Sequence, residues 1–400
     1  MPYAARRGAS GRIAMACIGL SSVLFFNACS DSGHGDPTGS GGTGGDDGGA
    51  TDGAFIDARA DKAEATSDAP PPLPWKAVPV AGTLCRTGAQ TGYAINVNPK
   101  SRKLIIFMEG GGACFNEISC KQNPESWSPT DAGIAQVSLT RIWALSRTSE
   151  NNPFKDWNLV YIPYCSGDVH TGSNLTGYMG QPQVGFTNYK LDLADFLPQL
   201  PDLDQVVLSG VSAGGFGVAW NWLWTQEAFG SVPVYALDDS GPPLGASYLT
   251  VCQQQRYGAL WAWEGHTHPA CTDCNVAAGN VVGPLIDATF KRIPSTRFGL
   301  LSYDEDGTIK SFFAYGTDNC ANWDSVQPPP FPSGMFPMGL TELRKTWASY
   351  PQVAMYVVSG GAHTFLGTDV SSVKTGTSIP MLEWIKRLID KSDGWANVAP

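Results

Sequence analysis

The stretch that decides the fold is "QVVLSGVSAGGFGVAWNWLW", residues 205–224. Residues 205–210 form an apolar run of strand length, and an apolar, aromatic run typical of a helix follows Gly215. Ser212 lies between the two runs in a Gly-x-Ser-x-Gly pattern, which is typical of the sharp strand-to-helix turn that exposes a nucleophilic serine. The alternative interpretation is a tight turn whose serine takes no part in chemistry.

Apolar runs of strand length recur on both sides of this stretch and alternate with helical patterns. Continuous apolar strands separated by helices indicate a parallel sheet with both faces covered. The sequence therefore predicts a doubly wound, mostly parallel α/β sheet, with residues 245–295 and 327–339 as excursions over its face. The predicted strands are 103–109, 158–164, 205–210, 232–237, 298–304 and 353–360, and the predicted helices are 189–199, 213–228, 340–349 and 379–391.

The beginning of the chain has the composition of a targeting segment. A basic stretch precedes an apolar run at residues 13–26 that is too short to span a bilayer, which predicts a signal peptide over residues 1–28. The sequence "FNACS" resembles a bacterial lipobox, so Cys29 is the predicted lipidation site and membrane anchor. Ordinary cleavage beside an unmodified cysteine is the alternative.

Residues 29–74 are rich in Gly, Asp and Pro and contain few apolar side chains, so they predict a flexible tether before a folded domain at residues 75–400. The formal net charge of −10 gives no support to nucleic-acid binding. Together these features predict an exported protein that is lipid-anchored to the bacterial cell envelope or extracellular.

A serine nucleophile needs a base, and the chain has five histidines. In this kind of sheet the base follows the last strand, and His363 does so in "SGGAHTFLG". The orienting acid follows an earlier strand, and Asp304 at the end of "FGLLSYD" gives the order Ser, Asp, His. Asp306 and Asp239 are rivals, although a carboxylate at either position is also suited to cap a helix or brace a turn.

The Gly-rich stretch "MEGGGACFN", residues 108–116, follows an earlier strand. Consecutive glycines indicate a place where the main chain approaches a ligand closely. With the N–H of Ala213, the N–H groups of Gly111 and Gly112 are therefore the predicted oxyanion hole. A phosphate cradle is excluded because no Lys-Ser or Lys-Thr follows the glycines.

Five motifs in chain order, "FMEGGGACFN", "YCSGDVHTG", "GVSAGGFG", "DDSGPP" and "SYDEDGTI", resemble the pectin acetylesterase and Notum family of carboxylesterases over residues 80–390. The resemblance implies an α/β-hydrolase fold without a cofactor. It implies a catalytic set of Ser212, Asp304 and His363, an oxyanion site of Gly111, Gly112 and Ala213, and the disulfides Cys85–Cys165 and Cys114–Cys120.

An even number of cysteines in an exported chain indicates disulfides rather than metal ligands. A zinc site at "CTDC", residues 271–274, lacks a second Cys-x-x-Cys pair, so no metal is predicted. The last four cysteines allow three connectivities, of which we favour Cys252–Cys320 with Cys271–Cys274.

The resemblance also bears on the substrate. Lipid-cleaving members of the family have one tryptophan beside the oxyanion glycines and another in the "YCSxDV" loop, where this chain has Ala113 and His170. We therefore expect a small acyl group in a wet site, and an O-acetylesterase acting on acetylated polysaccharide. The alternatives are a Notum-like deacylase of lipid esters, a surface lipoprotein that binds carbohydrate without catalysis, and a peptidase.

Overall fold

A computed structural model describes residues 73–400. The predicted signal peptide, the predicted lipidation site Cys29 and the predicted tether up to residue 72 lie outside the described residues. Within residues 73–400, no helix has both the length and the apolar character needed to cross a bilayer.

The centre of the fold is one eight-stranded sheet with the order β1-β2-β4-β3-β5-β6-β7-β8. The pairs β1–β2 and β2–β4 are antiparallel, and every other neighbouring pair is parallel. The strands are β1 (Lys76–Leu84), β2 (Gln90–Asn96), β3 (Lys103–Met108), β4 (Asn158–Ile162), β5 (Gln205–Val211), β6 (Val234–Asp239), β7 (Phe298–Tyr303) and β8 (Val353–Val358). This is the doubly wound, mostly parallel sheet that the sequence predicts.

Helices cover both faces of the sheet, so two apolar cores form, one on each side. The helices are α1 (Glu117–Gln122), α2 (Asp131–Val137), α3 (Gly185–Phe196), α4 (Ala213–Phe229), α5 (Val251–Leu260), α6 (Val282–Arg292), α7 (Gly307–Ala314), α8 (Thr317–Cys320), α9 (Met335–Trp347) and α10 (Met381–Asp390). The four predicted helices correspond to α3, α4, α9 and α10. The strands β1 and β2 were not predicted; β1 is an edge strand that contains Pro79, and its side chains are mostly exposed or half-exposed.

The predicted excursion at residues 245–295 contains α5 and α6, which pack on the same core as α4. Two disulfides, Cys252–Cys320 and Cys271–Cys274, fasten this segment. Cys85–Cys165 joins the turn between β1 and β2 to the loop after β4, and Cys114–Cys120 joins the loop after β3 to α1. All four pairs are those that the sequence analysis favoured. Four disulfides are consistent with export into an oxidising compartment.

Candidate active site

Ser212 lies in the turn between β5 and α4, with φ 56° and ψ −117°. This is a strained conformation for a residue with a Cβ, and such strain persists only where the surrounding structure enforces it. The N–H of Ser212 donates to the carbonyl oxygen of Asp239 at 2.7 Å, and the N–H of Phe216 donates to the carbonyl oxygen of Ser212 at 3.2 Å. The turn is therefore held at both ends, as a strand-to-helix nucleophile turn requires.

The glycines around Ser212 allow the turn to pack directly against β3. A Cβ at Gly214 would collide with the main chain of Met108, and a Cβ at Gly210 would lie 2.6 Å from the carbonyl oxygen of Gly214. The neighbouring Gly110 is equally close, because a Cβ there would lie 3.1 Å from the Cβ of Ser212. The absence of side chains thus brings the serine next to the Gly-rich loop.

His363 pairs with Asp306. The imidazole Nδ1 lies 2.7 Å from Asp306 Oδ2, and the carboxylate is fully buried. The other oxygen, Asp306 Oδ1, accepts the N–H groups of Thr308 and Ile309, both at 3.0 Å, and so caps α7. One carboxylate therefore both caps the helix and orients the imidazole.

The expectation that Asp304 orients His363 is wrong for this structure. The Asp304 carboxylate accepts the N–H of Gly360 at 2.8 Å and the hydroxyl of Ser359 at 3.2 Å, and so braces the turn after β8. Asp304 directly follows the last residue of β7, whereas two further residues bring the chain to the start of α7 and to His363. The sequence analysis treated a helix cap and an orienting acid as alternative roles for Asp306. The Asp306 carboxylate has both contacts, one to α7 and one to His363.

Asp239 connects the serine turn to the histidine loop. Its carbonyl oxygen accepts the Ser212 N–H, and its carboxylate oxygen Oδ2 accepts the N–H groups of Phe365 and Leu366 at 2.7 and 2.8 Å. Burial raises the pKa of Asp239 to about 6, against the opposing effects of these N–H groups and of nearby His363. Asp239 is therefore a brace between Ser212 and His363 rather than the acid that orients the imidazole.

The Gly-rich loop adjoins Ser212 as predicted. Gly112, Ala113, Ser212 and Ala213 line one cavity, whereas Gly111 does not. The N–H groups of Gly112, Ala113 and Ala213 donate to no group among the described residues, so they are free to bind an anion.

None of the histidines that the structure describes, His363 included, lines this cavity. His170 is buried, and its Nε2 donates to the carbonyl oxygen of Glu109 at 2.9 Å. Burial lowers the pKa of His170 to about 4, so the ring is neutral at physiological pH. Since His170 is buried and does not line the cavity, it adds no polar group to the cavity wall. His268 pairs with Glu227 at 3.1 Å.

The cavity beside Ser212 has a mostly apolar wall. Among the lining residues, Thr171, Ser212 and Tyr257 carry hydroxyl groups and the tryptophans carry indole nitrogens. The other lining residues have no polar side-chain atom. Trp263 donates its indole N–H to Thr171 at 2.9 Å, which removes that donor from the cavity. The apolar lining includes Ala219, Trp220, Leu249, Trp261, Trp263, Val282, Leu285, Ile286, Ile309 and Phe313. The sequence analysis missed this cavity, because its walls come from separate elements.

Within residues 73–400, no three His, Cys, Asp or Glu side chains come together in a group suited to hold a metal ion.

A family model described as pectinacetylesterase matches residues 74–280. Palmitoleoyl-protein carboxylesterase notum1a of Danio rerio is 31% identical over 173 residues, which cover 39% of this chain and 33% of that protein. Palmitoleoyl-protein carboxylesterase NOTUM of Homo sapiens is 29% identical over 175 residues, covering 39% and 34%. The aligned part thus spans about a third of the length of these relatives.

Among solved structures, that of the Wnt deacylase Notum from Drosophila is similar, with a TM-score of 0.55 and 19% sequence identity. The match covers 79% of this chain and 93% of the Notum chain. At this identity the comparison establishes the fold, that of an α/β-hydrolase.

Proposed function

Because the chain belongs to the pectinacetylesterase family, which supports an esterase or deacylase activity, we propose that it is a serine carboxylesterase that acts through an acyl-enzyme on Ser212. The observation that carries the proposal is the bracing by Asp239. One residue binds the main chain of the strained Ser212 turn and also the loop that presents the His363–Asp306 pair.

In the proposed reaction, His363 Nε2 takes the proton of the Ser212 hydroxyl while Oγ attacks the ester carbonyl carbon. Asp306 accepts the Nδ1–H, which fixes the tautomer and stabilises the imidazolium. The imidazolium then gives its proton to the leaving alcohol, and water hydrolyses the acyl-enzyme with His363 again as base.

The oxyanion of each tetrahedral intermediate is proposed to bind the N–H groups of Gly112 and Ala213, as the sequence predicts, together with that of Ala113. All three residues line the cavity, and all three N–H groups are free among the described residues. For Gly111 the N–H stays a sequence prediction, since this residue is not part of the cavity wall.

For the acyl group we propose a medium or long apolar chain. Its support is the cavity next to Ser212, whose wall is almost entirely aliphatic and aromatic. Each buried methylene contributes about 0.8 kcal/mol, so such a wall favours a fatty acyl chain over acetyl. The second candidate is the O-acetylesterase of acetylated polysaccharide expected from the sequence, which the description of the matching family model favours.

The test is turnover of p-nitrophenyl butyrate by the full chain. We expect an initial burst of p-nitrophenol, labelling of Ser212 by a fluorophosphonate, and a loss of at least 1,000-fold in kcat for Ser212→Ala. Ser209→Ala is the matched control, because Ser209 lies in β5 and its buried hydroxyl donates to the Leu237 carbonyl. Absence of both burst and label would favour the carbohydrate-binding alternative.

A further inference from the structure

We propose that Asn123 and Tyr164 are positioning residues that hold the Gly-rich loop at residues 108–116, here called the oxyanion loop, with its N–H groups directed into the cavity. The proposal rests on the proposed function, because it concerns the same oxyanion site. Neither side chain lines the cavity, so each acts through the main chain of Gly111 or Gly112.

The carbonyl oxygens of both glycines accept hydrogen bonds from side chains that do not line the cavity. Asn123 Nδ2 donates to the carbonyl oxygen of Gly111 at 2.7 Å, and the Tyr164 hydroxyl donates to that of Gly112 at 2.7 Å. In a trans peptide the next N–H points opposite to the carbonyl. The two hydrogen bonds therefore set the directions of the Gly112 and Ala113 N–H groups.

The peptide planes of the two glycines depend on these two bonds. Gly111 and Gly112 have φ of 156° and 81°, and glycine rotates its peptide planes with little steric cost. Among the described residues, the main chain of these two glycines makes no other hydrogen bond. A rotated peptide would place a carbonyl oxygen where the oxyanion is expected to bind.

The position of the Tyr164 ring and the direction of its hydroxyl proton are both fixed by neighbouring groups. Its ring is buried, and its N–H donates to the Glu109 carboxylate at 2.8 Å. Its hydroxyl accepts the N–H of Val169 at 2.9 Å, so the one hydroxyl proton is directed to the Gly112 carbonyl.

Asn123 is fixed from the other side of the loop. It follows the last residue of α1, and the buried Arg86 guanidinium donates to the carbonyl oxygens of Cys120 and Asn123 at 2.9 and 2.8 Å. The disulfide Cys114–Cys120 then connects α1 to the end of the Gly-rich loop. The main chain at Asn123 is thus held in place by the Arg86 hydrogen bonds and by the cross-linked helix α1.

Tyr164→Phe removes the donor to Gly112 together with the acceptor of the Val169 N–H, and Asn123→Leu removes the donor to Gly111. Both substitutions keep the side-chain shape nearly unchanged. We expect kcat for p-nitrophenyl butyrate to fall about 10- to 100-fold in each variant, with KM within about twofold, because removal of a full oxyanion donor costs about 100- to 1,000-fold. The double variant should lose less than the product of the single losses, since both residues hold one loop.

The matched controls are Tyr189→Phe and Asn188→Leu. Tyr189 is a fully buried tyrosine whose hydroxyl pairs with Thr225, and Asn188 binds the main chain of Leu84. These variants should lose thermal stability to a similar extent and keep the wild-type kcat. The comparison separates loss of stability from loss of oxyanion binding.

Inhibition by a trifluoromethyl ketone is a measurement that does not depend on the thermal stability of the variant. The Ser212 oxygen adds to the ketone carbon, the serine proton passes to His363, and the product carries an oxyanion. Its inhibition constant should rise in proportion to the loss in kcat in both variants.

A kcat within threefold of wild type in Tyr164→Phe would overturn the proposal, as would a fall in kcat without weaker ketone binding. If Asn123→Leu does not fold, the kcat and ketone binding of Tyr164→Phe alone test the proposal. Failure of the proposed function has a different signature, namely an active Ser212→Ala variant.

Discussion

The carboxyl edge of the sheet and the excursion at residues 245–295 contribute different parts of the candidate site. At the edge, Ser212, Asp239 and Asp306 lie within three residues of the last residue of a strand, and hydrogen bonds from the main chain fix each of them. The excursion instead contributes cavity walls such as Trp261 and Ile286, which are held by side-chain packing.

Because the two regions contribute different parts of the site, substitutions in them should have different effects on ester turnover. A group at the edge that takes part in bond making should affect the turnover of every ester. A side chain of the excursion contacts only the part of the substrate that enters the cavity, so it should change the preference among esters. Substitutions can test this division, and the largest effects are expected at the edge.

Asp306→Asn should lower kcat by about 1,000- to 10,000-fold, because the amide stabilises the wrong imidazole tautomer and cannot stabilise the imidazolium. Asp304→Asn should lower kcat less than about fivefold, because Asp304 only braces the turn at Gly360. The two residues lie two positions apart in one turn, so each is the control for the other. Equal losses in steady-state kcat would remove the assignment of Asp306.

The carboxylate that contacts His363 is Asp306 rather than the predicted Asp304, and the difference has a physical reason. The position of Ser212 depends on local features, a strand, glycines and a helix, which the sequence displays. Which carboxylate reaches His363 depends on how the loop after β8 crosses the start of α7, a contact between residues 57 positions apart. The motif "SYDEDGTI" contains both candidates and does not distinguish them.

A series of p-nitrophenyl esters tests the excursion. For wild type we expect kcat/KM to rise from acetyl to octanoyl by up to about fourfold per methylene, because each buried CH₂ contributes about 0.8 kcal/mol. Ile286→Trp should reduce the octanoyl value about tenfold or more and leave the acetyl value within threefold, because the indole would fill part of the cavity. A maximum at acetyl to butyryl in wild type would instead favour the O-acetylesterase.

The expectation of a small acyl group failed to anticipate the cavity because it considered two positions only. Ala113 does line the cavity, but the neighbouring walls come from Trp220 in α4 and from Trp261 and Trp263 in the excursion. Trp261 and Trp263 lie two residues apart, but Trp220 lies in a distant part of the sequence, so no local pattern marks the three tryptophans as one surface. Only the path of the excursion over α4 brings them together.

The two regions should also differ in how their unfolding free energy depends on pH, and this effect should be smaller than the effects on turnover. Glu109, beside the oxyanion loop, has its pKa raised to about 7 by burial. Asp287 in the excursion has a lowered pKa; its partial burial opposes this shift, and its hydrogen bonds to Lys291 and Tyr350 cause it. The two carboxyl groups should therefore contribute to stability with opposite signs.

For Glu109 the folded state takes up a proton between the ordinary pKa of 4.5 and about 7, so its contribution to stability is complete below pH 4.5 and is lost as the pH rises through 7. Relative to Glu109→Gln, wild type should lose at most about 3 kcal/mol of unfolding free energy between pH 5 and pH 8, measured by urea denaturation. Asp287→Asn is the control, because Asp287 remains ionised throughout this range and its difference from wild type should stay constant. A constant difference for Glu109→Gln as well would mean that Glu109 is ionised at pH 5. The edge of the sheet would then hold a buried charge beside the oxyanion loop, and that charge would oppose the negative charge that develops on the substrate.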